Sequence, residues 1–550
     1  MNKEKINAQL KEVKTENNVL TENNTNTRFV NYTTRLIKLI PSKKSLNELL
    51  EAIDTIDFLL AYYQDTEMEE FILSLRDELT SSKDYNRKIE IKETLKRLEP
   101  KIETKEAIII DNLLVISEKK GISLGTINNL PYYFNNYYWE LVTEDFMKDY
   151  LSKVAEKSGI KHFQATKNKI KEDLYKQFIS TSKTPTSENR SSKVMINMLN
   201  GTFIYEENKY EFRKFHSEDM LTYQLPFEYN PKAKAPVFLQ YLNEVMPEKE
   251  AQFVMSEYIG YIFAKHLKLE KCLVLVGSGA NGKSVFGDIV YALLGKKNVT
   301  SFSLGNLCDK SGYYRAEIGH YLLSYSSEMG GKNCDPDLVK QLISNESVSA
   351  RSPYGKPITV TNYCRFMFNA NILPKDIEQS YGYFRRFMFL MFDVTIPEEK
   401  RNPNLAKTII ETELSGVFNW VLEGLDRLIT KKTFTSSPKI ETAFAKVKRE
   451  SNSVALFVDE HGYKSSQSEF QDSKTFYSNY SDYCKETGYH SVSKIEFLRR
   501  LEQLDIYVER GATNNTTRVH CSNREKKEAK NHRDTMDLVA KLANVSSEKK

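Results

Sequence analysis

Three observations predict an α/β chain of several domains. A β-branched apolar run, Leu273–Val276, leads through Gly277-Ser278-Gly279-Ala280-Asn281-Gly282-Lys283-Ser284 into a helical pattern carried by Ile289, Tyr291 and Leu294. Two further apolar runs, HYLLSYSSEM (320–329) and CRFMFNANILP (364–374), read as buried strands that end in polar residues. Ahead of this core the apolar spacing is helical; behind it, two helical patterns precede a pair of short strands.

Composition bounds the rest. A chain of 550 residues divides into several domains at ordinary domain size. It is 40% hydrophobic and 28% charged, which supports large cores and excludes a wholly disordered chain. Lys+Arg 79 against Asp+Glu 74 leaves a net charge of +5, so any basic surface for nucleic acid must be local. The six cysteines are scattered without a C-x-x-C pair, indicating neither a zinc site nor a disulfide framework and suiting a reducing cytoplasm. The polar N-terminus and the lack of any long apolar run predict a soluble cytoplasmic protein with no membrane partner.

Residues 1–28 read as a frayed polar tail. From Phe29 to about Glu118 three- and four-residue apolar spacing predicts helices, with SSKDYN (81–86) as a loop, so 1–125 is read as a helical region for partner contact or assembly. It contains no His or Cys, which speaks against an appended primase built on acidic residues and a histidine.

A small α+β domain follows at 126–230. FMKDYLSKVAEKSG forms a helix closed by Gly159, TSKTPTSENRSS (181–192) a loop, and NGTFIYEENKYEFRKF (200–215) a hairpin turning at Glu207-Asn208. Its Tyr and Phe interleaved with Lys and Arg suit stacking on single-stranded bases, and equally the core and rim of a small domain. The α/β core occupies 231–435, entered through the helices VFLQYLNEVM and EAQFVMSEYIGYIFAKHL. At 436–522 come helix, turn, helix and two strands around Gly511–Asn515, the order of a winged helix-turn-helix; 523–550 is a charged tail.

The octapeptide is G-x-x-x-x-G-K-[ST] in strand–loop–helix context, which sets it apart from an ordinary glycine-rich turn. Gly277, Gly279 and Gly282 let backbone N–H groups wrap an anion beside Asn281, Lys283 reaches β- and γ-phosphates, and Ser284 holds Mg²⁺. ATP with Mg²⁺ is thus the expected cofactor. Glu328, at a strand end, suits the metal shell and the attacking water, although a strand ending in Glu is common. Asn369 and Asn371 end the next strand, where an amide can sense the γ-phosphate. Arg385 and Arg386, ahead of an apolar strand, suit a finger reaching a neighbouring subunit's ATP, and equally surface arginines paired with Asp or Glu. Between them DPDLVKQLISNESVSARSPYGKPITVT (335–361) predicts a helix and a hairpin carrying Arg351, Tyr354 and Lys356. In a ring ATPase such a hairpin points into the pore; elsewhere it is an ordinary solvent-facing turn.

As an ordered set, GSGANGKS, LLSYSSE, DPDLVKQLISNESVSARSPYGKP, FNANILP, GYFRRF and ELSGVFNWVLEGLDRL resemble the superfamily III helicase domain. More narrowly, the stretch from about Leu130 to Cys521 resembles phage and plasmid primase–helicases and the replication initiators of mobile genetic islands. The resemblance implies an AAA+ ATPase core forming a ring, usually a hexamer, that translocates on DNA and unwinds it. It also implies Lys283 and Ser284 as nucleotide and metal ligands, Glu328 as the acidic catalytic residue, Asn371 as sensor, Lys356 on the pore hairpin and Arg385 or Arg386 as finger. Ser327 departs from the frequent Asp, leaving metal handling to Glu328. A ring that tracks phosphates does not read bases, so an origin duplex calls for a separate reader. The helix VSKIEFLRRLEQL (492–504) is the candidate: Lys494, Arg499 and Arg500 lie among the packing residues Ile495, Phe497, Leu498 and Leu501, and Arg510 and Arg518 flank the wing. Rival expectations are a packaging or partition ATPase, and a DNA-binding regulator that uses ATP as an assembly switch.

Overall fold

The computed structural model describes residues 44–184, 193–206, 209–330, 334–353, 355–371, 380–510 and 517–523. The chain divides into two units, Met1–Thr186 and Ser187–Lys550.

In the first unit the predicted helical periodicity becomes Lys44–Glu51, Phe58–Tyr63, Glu67–Ser81, Tyr85–Leu98 and Ile102–Lys119. The Asp84 carboxylate accepts from Asn86 N at 2.9 Å and starts the fourth helix, so the expected 81–86 loop shortens to its cap. An antiparallel meander follows, Leu124–Ile127, Leu130–Phe134 and Trp139–Leu141. Its first turn places Asn128 and Asn129 at φ 53° and 60°, a left-handed pair that asparagine tolerates better than most residues. Helices Glu144–Lys157 and Asn168–Thr181 close over it, burying Tyr133, Met147, Leu151, Leu174 and Phe178 with Ile109 and Leu113.

The second unit is built on a five-stranded parallel sheet. Numbered along the chain, its strands are β1 (Cys272–Val276), β2 (Val299–Thr300), β3 (Leu323–Ser326), β4 (Arg365–Ala370) and β5 (Phe387–Met391), in the spatial order 5-1-4-3-2. The β1–β5 register runs from Cys272↔Phe387 to Val276↔Met391, and β4 pairs Met367 with Leu273 and Phe368 with Ser326. Alternation along β1 splits the core. Leu273 and Leu275 face one layer with Phe286, Val417 and Leu425, while Cys272, Val274 and Val276 face the other with Leu342, Val348 and Val447. In the first layer, helices Lys249–Phe263 and Leu414–Lys431 approach closely. A Cβ at Gly424 would lie 2.4 Å from the Ser256 carbonyl carbon, which restricts that position to glycine.

The 126–230 stretch expected as one small domain is divided between the units. Its first strands share a core with the N-terminal helices, whereas Val194–Met198 and Gly201–Glu206 contribute Ile196, Phe203 and Tyr205 to the core of the parallel sheet. The hairpin partner Lys209–Arg213 leaves Tyr210 74% exposed; the turn Glu207-Asn208 lies outside the described residues.

The C-terminal elements are helices Ser453–Glu460, Ser473–Thr487 and Lys494–Glu502 with short strands Gln471–Asp472, Val508–Glu509 and Arg518–Val519. Phe457, Phe476, Tyr480, Phe497 and Leu501 form their separate core. The turn Gly511–Asn515 and residues 524–550 lie outside the described residues. Among those described, no helix is long and apolar enough to cross a membrane.

One buried carboxyl is expected to make the stability of the first unit depend on pH. Glu106 is 5% exposed, its Oε1 has no hydrogen-bond partner among the described residues, and desolvation, helped by Asp173 and Glu103 against Lys169, pushes its carboxyl up to about 7. A raised carboxyl favours the folded state below its unfolded pKa of about 4.3, and that contribution is lost as pH rises through the folded value. Glu106→Gln should therefore raise stability at pH 8 by on the order of 1 kcal/mol and flatten the dependence between pH 5 and pH 8. Thermal unfolding of both proteins across that range checks it; parallel curves would show that Glu106 is not the titrating group.

Candidate active site

Because β1, β3 and β4 are parallel, the segments after them emerge at one edge of the sheet. Placing β4 between β1 and β3 sets Asn371 between the Gly277–Ser284 loop and Ser327-Glu328, with neighbouring strands roughly 4.8 Å apart. The structure thus brings together Gly277, Gly279, Asn281, Gly282, Lys283, Ser284, Glu328 and Asn371 at one sheet edge.

The loop is held from three sides. Gly277 N donates to Ala370 O at 3.1 Å, Ile396 N to Ala280 O at 2.9 Å, and the Tyr241 hydroxyl to Gly282 O at 2.8 Å. Gly279, Ala280 and Gly282 take φ of 113°, 50° and 88° before the helix Lys283–Leu294 begins. A Cβ at Gly277 would lie 2.1 Å from Asn281 Nδ2 and 2.8 Å from Phe392 O. The Asn281 amide donates to Phe392 O at 3.0 Å, while Lys283 Nζ donates to Asn281 Oδ1 at 3.1 Å and to Gly277 O. These partners are neutral, and burial draws the Lys283 ammonium below the ordinary lysine value. Ser284 is exposed at the start of the helix.

At β3 and β4, Glu328 and Asn371 are exposed. The Ser326 hydroxyl donates to Glu328 O at 2.8 Å, and Met329 N donates to Asn369 O at 2.8 Å. Sequence reasoning passed over Tyr325, a buried residue of β3 whose hydroxyl donates to Asn369 Oδ1 at 2.9 Å and fixes that amide. It missed Tyr241 as well: both look like core tyrosines, and only their hydroxyl partners set them apart.

Arg385 and Arg386 stand elsewhere. They precede β5, level with the start of β1, so about 15 Å of strand separates them from the loop after Val276. Arg385 Nη2 donates to Glu270 at 2.6 Å, and Arg386, largely buried, lies 3.5 Å from the same carboxylate and donates to Ser344 Oγ at 2.9 Å. Glu270 also escaped the sequence reading; its only signal there was an acidic residue two positions before β1.

In the hairpin, Val348–Arg351 pairs with Pro357–Val360; Arg351 donates to Gly355 O at 2.9 Å, Lys356 is exposed, and Tyr354 lies outside the described residues. On the Lys494–Glu502 helix the expected faces need correction. Ile495 is 83% exposed rather than packed, and Arg500 is 4% exposed, its Nε bonded to Glu496 at 2.7 Å. The helical turn carries position 500 inward beside Phe497 and Leu501. Arg499 is exposed and forks onto Glu496 with both bonds at 2.7 Å; Lys494 is half-buried. Arg510 donates to Glu502 at 3.1 Å, and Arg518 stacks on Phe470 at 4.5 Å from the ring centroid.

Two family models match parts of the chain: "D5 N terminal like" at residues 122–247 and "Family of unknown function (DUF5906)" at 275–386. The first supports a phage-type primase–helicase relationship. That relationship implies a DNA-acting replication enzyme. No curated protein matches the chain. Apo structures of the NrS-1 C terminal region align at 13% and 14% identity over 58% and 59% of this chain and 94% and 95% of theirs, each with a TM-score of 0.32.

The contrast between the two arginines is directly measurable. Arg500→Ala should lower the stability of the C-terminal elements by about 2–3 kcal/mol, since a buried charge pair loses one partner, whereas Arg499→Ala stays within about 0.5 kcal/mol. Thermal unfolding checks this; equal effects would mean that Arg500 is not the buried member.

Proposed function

We propose that the chain is an ATP-dependent DNA helicase of the superfamily III, AAA+ type, a replication initiator that works as a ring. The observation carrying the reading is a G-x-x-x-x-G-K-S loop at the edge of a 5-1-4-3-2 parallel sheet, with a carboxylate after β3 and an amide after β4 on the same edge. Residues of that edge fit ATP with Mg²⁺. At Gly277 the chain packs so tightly against Asn281, Phe392 O and Lys283 Nζ that a Cβ has no room, Lys283 has neutral partners among the described residues, and Ser284 is exposed beside it. Bound ATP with Mg²⁺ supplies the transferable phosphoryl group and the countercharge for it.

Lys283 is the phosphate ligand in this reading. Phosphate oxygens would add a charge–charge attraction that its present acceptors, a backbone carbonyl and an amide oxygen, do not offer. Ser284 and Glu328 would hold the metal, Glu328 also orients the attacking water, and Asn371 reads the γ-phosphate. Arg385, partly exposed a strand length away from its own loop, suits the site of a neighbouring subunit, consistent with a hexamer, while the buried Arg386 shares its Glu270 partner. The hairpin bearing Arg351 and Lys356 tracks the backbone of single-stranded or forked DNA. The C-terminal elements, with Arg499 exposed on their last helix, suit a winged helix that selects an origin duplex.

Lys283→Ala should abolish ATP hydrolysis and strand displacement, by at least about a hundredfold, while the chain unfolds at its normal temperature. Retained turnover would end the ATPase assignment. ATP binding without any strand displacement by the wild type would instead favour an assembly switch.

Loss of both arginine charges should lower turnover about a thousandfold with nucleotide binding intact. Mixing Arg385→Ala/Arg386→Ala subunits with Lys283→Ala subunits should restore part of the hydrolysis, because one class of interface then holds an intact loop and an intact finger. Mixed rings that stay inactive would rule out action in trans.

A further inference from the structure

The hairpin has few anchors of its own. Along Val348–Arg351 only Val348 and Ala350 are buried, and along Pro357–Val360 only Val360. Its base is met by Arg315, from the short helix Tyr313–Glu317 and 8% exposed. The guanidinium donates through Nε to Ser349 O at 2.8 Å and through Nη1 to Leu307 O and Asp309 O, both at 2.7 Å. Three main-chain carbonyls from two segments are thus held by one planar cation. The backbone adds a longer tie, Arg351 N to Gly312 O at 3.4 Å, and Gly312 sits close against Ala350.

At its other end the same group holds the helix Leu304–Leu307. That turn is closed by a capping box between Ser303 and Asn306, and Leu304 N donates to Met329 O at 2.9 Å. Met329 follows Glu328 directly, and its own N–H donates to Asn369 O at 2.8 Å on β4. Cys334 Sγ, beyond the acidic segment, also donates to Leu304 O at 3.4 Å. A continuous set of hydrogen bonds therefore runs from the Glu328 segment through Leu304–Leu307 to Arg315 and on to the hairpin strand that carries Arg351.

We propose that Arg315 is the positioning residue through which the acidic segment and the DNA hairpin move together, an assignment that rests on the ATPase reading above. A displacement of Met329 shifts Leu304, and through the stiff capped turn it shifts Leu307. Arg315 passes that shift to Ser349 because its fork holds both carbonyls at once. Lysine offers a compact ammonium on a flexible stem and cannot hold the two segments in one plane. The residue touches no reacting atom, so basal hydrolysis does not depend on it.

The test uses the full chain, with ATP turnover measured without DNA and with saturating forked DNA, and thermal unfolding as the control. Arg315→Lys should keep basal turnover within about twofold and lower stimulation by DNA about fivefold to tenfold. Combining it with Lys356→Ala should add little to either single loss, because both act on one hairpin. Arg315→Met, which removes the donors to Ser349 O, Leu307 O and Asp309 O, separates folding from coupling: a lower unfolding temperature there alongside a normal one in Arg315→Lys supports the assignment. Stimulation within about twofold of wild type in Arg315→Lys would overturn it, as would equal losses of basal and stimulated turnover or fully additive losses in the double variant. A wild-type chain that hydrolyses no ATP would remove the ATPase reading itself, a different result from a hydrolysing chain whose coupling ignores Arg315.

Discussion

The parallel pairing of Cys272–Val276 with a strand on either side is the constraint on which the second unit depends. Both edges of β1 are satisfied by backbone bonds and both of its faces are buried, so it cannot slip without reversing the alternation of Leu273 and Leu275 against Cys272, Val274 and Val276. Parallel pairing also settles where the chain emerges. Every segment that follows a strand is delivered to one edge, and the glycine-rich loop, Glu328 and Asn371 meet there although nearly a hundred residues separate the first from the last. The loop itself is stiffened by Tyr241, Ala370 and Ile396 rather than by its own short sequence.

Electrostatics separates Lys283 from six of the arginines. Among the described residues Lys283 donates to neutral oxygens, Gly277 O and Asn281 Oδ1. Arg385, Arg386, Arg499, Arg500, Arg510 and Arg518 each lie against a carboxylate: Glu270, Glu496, Glu502 or Glu509. For the exposed pairs this costs little to break, because water and salt screen them. For Arg500 it does not. Burial makes its pair with Glu496 part of the fold, and the exposed face of that helix passes to Ile495 and Arg499.

The first unit draws its stability from a different arrangement. Helices before and after a three-stranded meander in the chain share one core with Tyr133 and Phe178, and polar caps such as Asp57 and Asp84 set where two of the helices begin. Within this apolar setting Glu106 is a buried carboxyl whose Oε1 has no hydrogen-bond partner among the described residues. The D5-type match spans 122–247, so the family model begins in this unit and ends in the second.

The sequence by itself determined the local facts: apolar periods, glycines at turns, and a lysine and serine at the start of a helix. Those rest on neighbours a few residues apart, so the strand–loop–helix around Lys283, the two helices within 236–263 and the hairpin at 348–360 were legible from composition and spacing. What was not legible depends on contacts between distant segments. Whether residues 126–230 form one body is decided by which cores their strands fill, and the pattern marks a buried face without naming its partner. That Arg500 turns inward while Ile495 turns outward follows from how its helix sits on Phe457 and Phe476. That Glu270 holds both arginines, and that Arg315 ties the hairpin to the acidic segment, follows from hydrogen bonds over distances the chain closes only when folded. Tertiary structure alone decided these, because a side chain's partner is set by the packing of whole elements and not by the residues beside it.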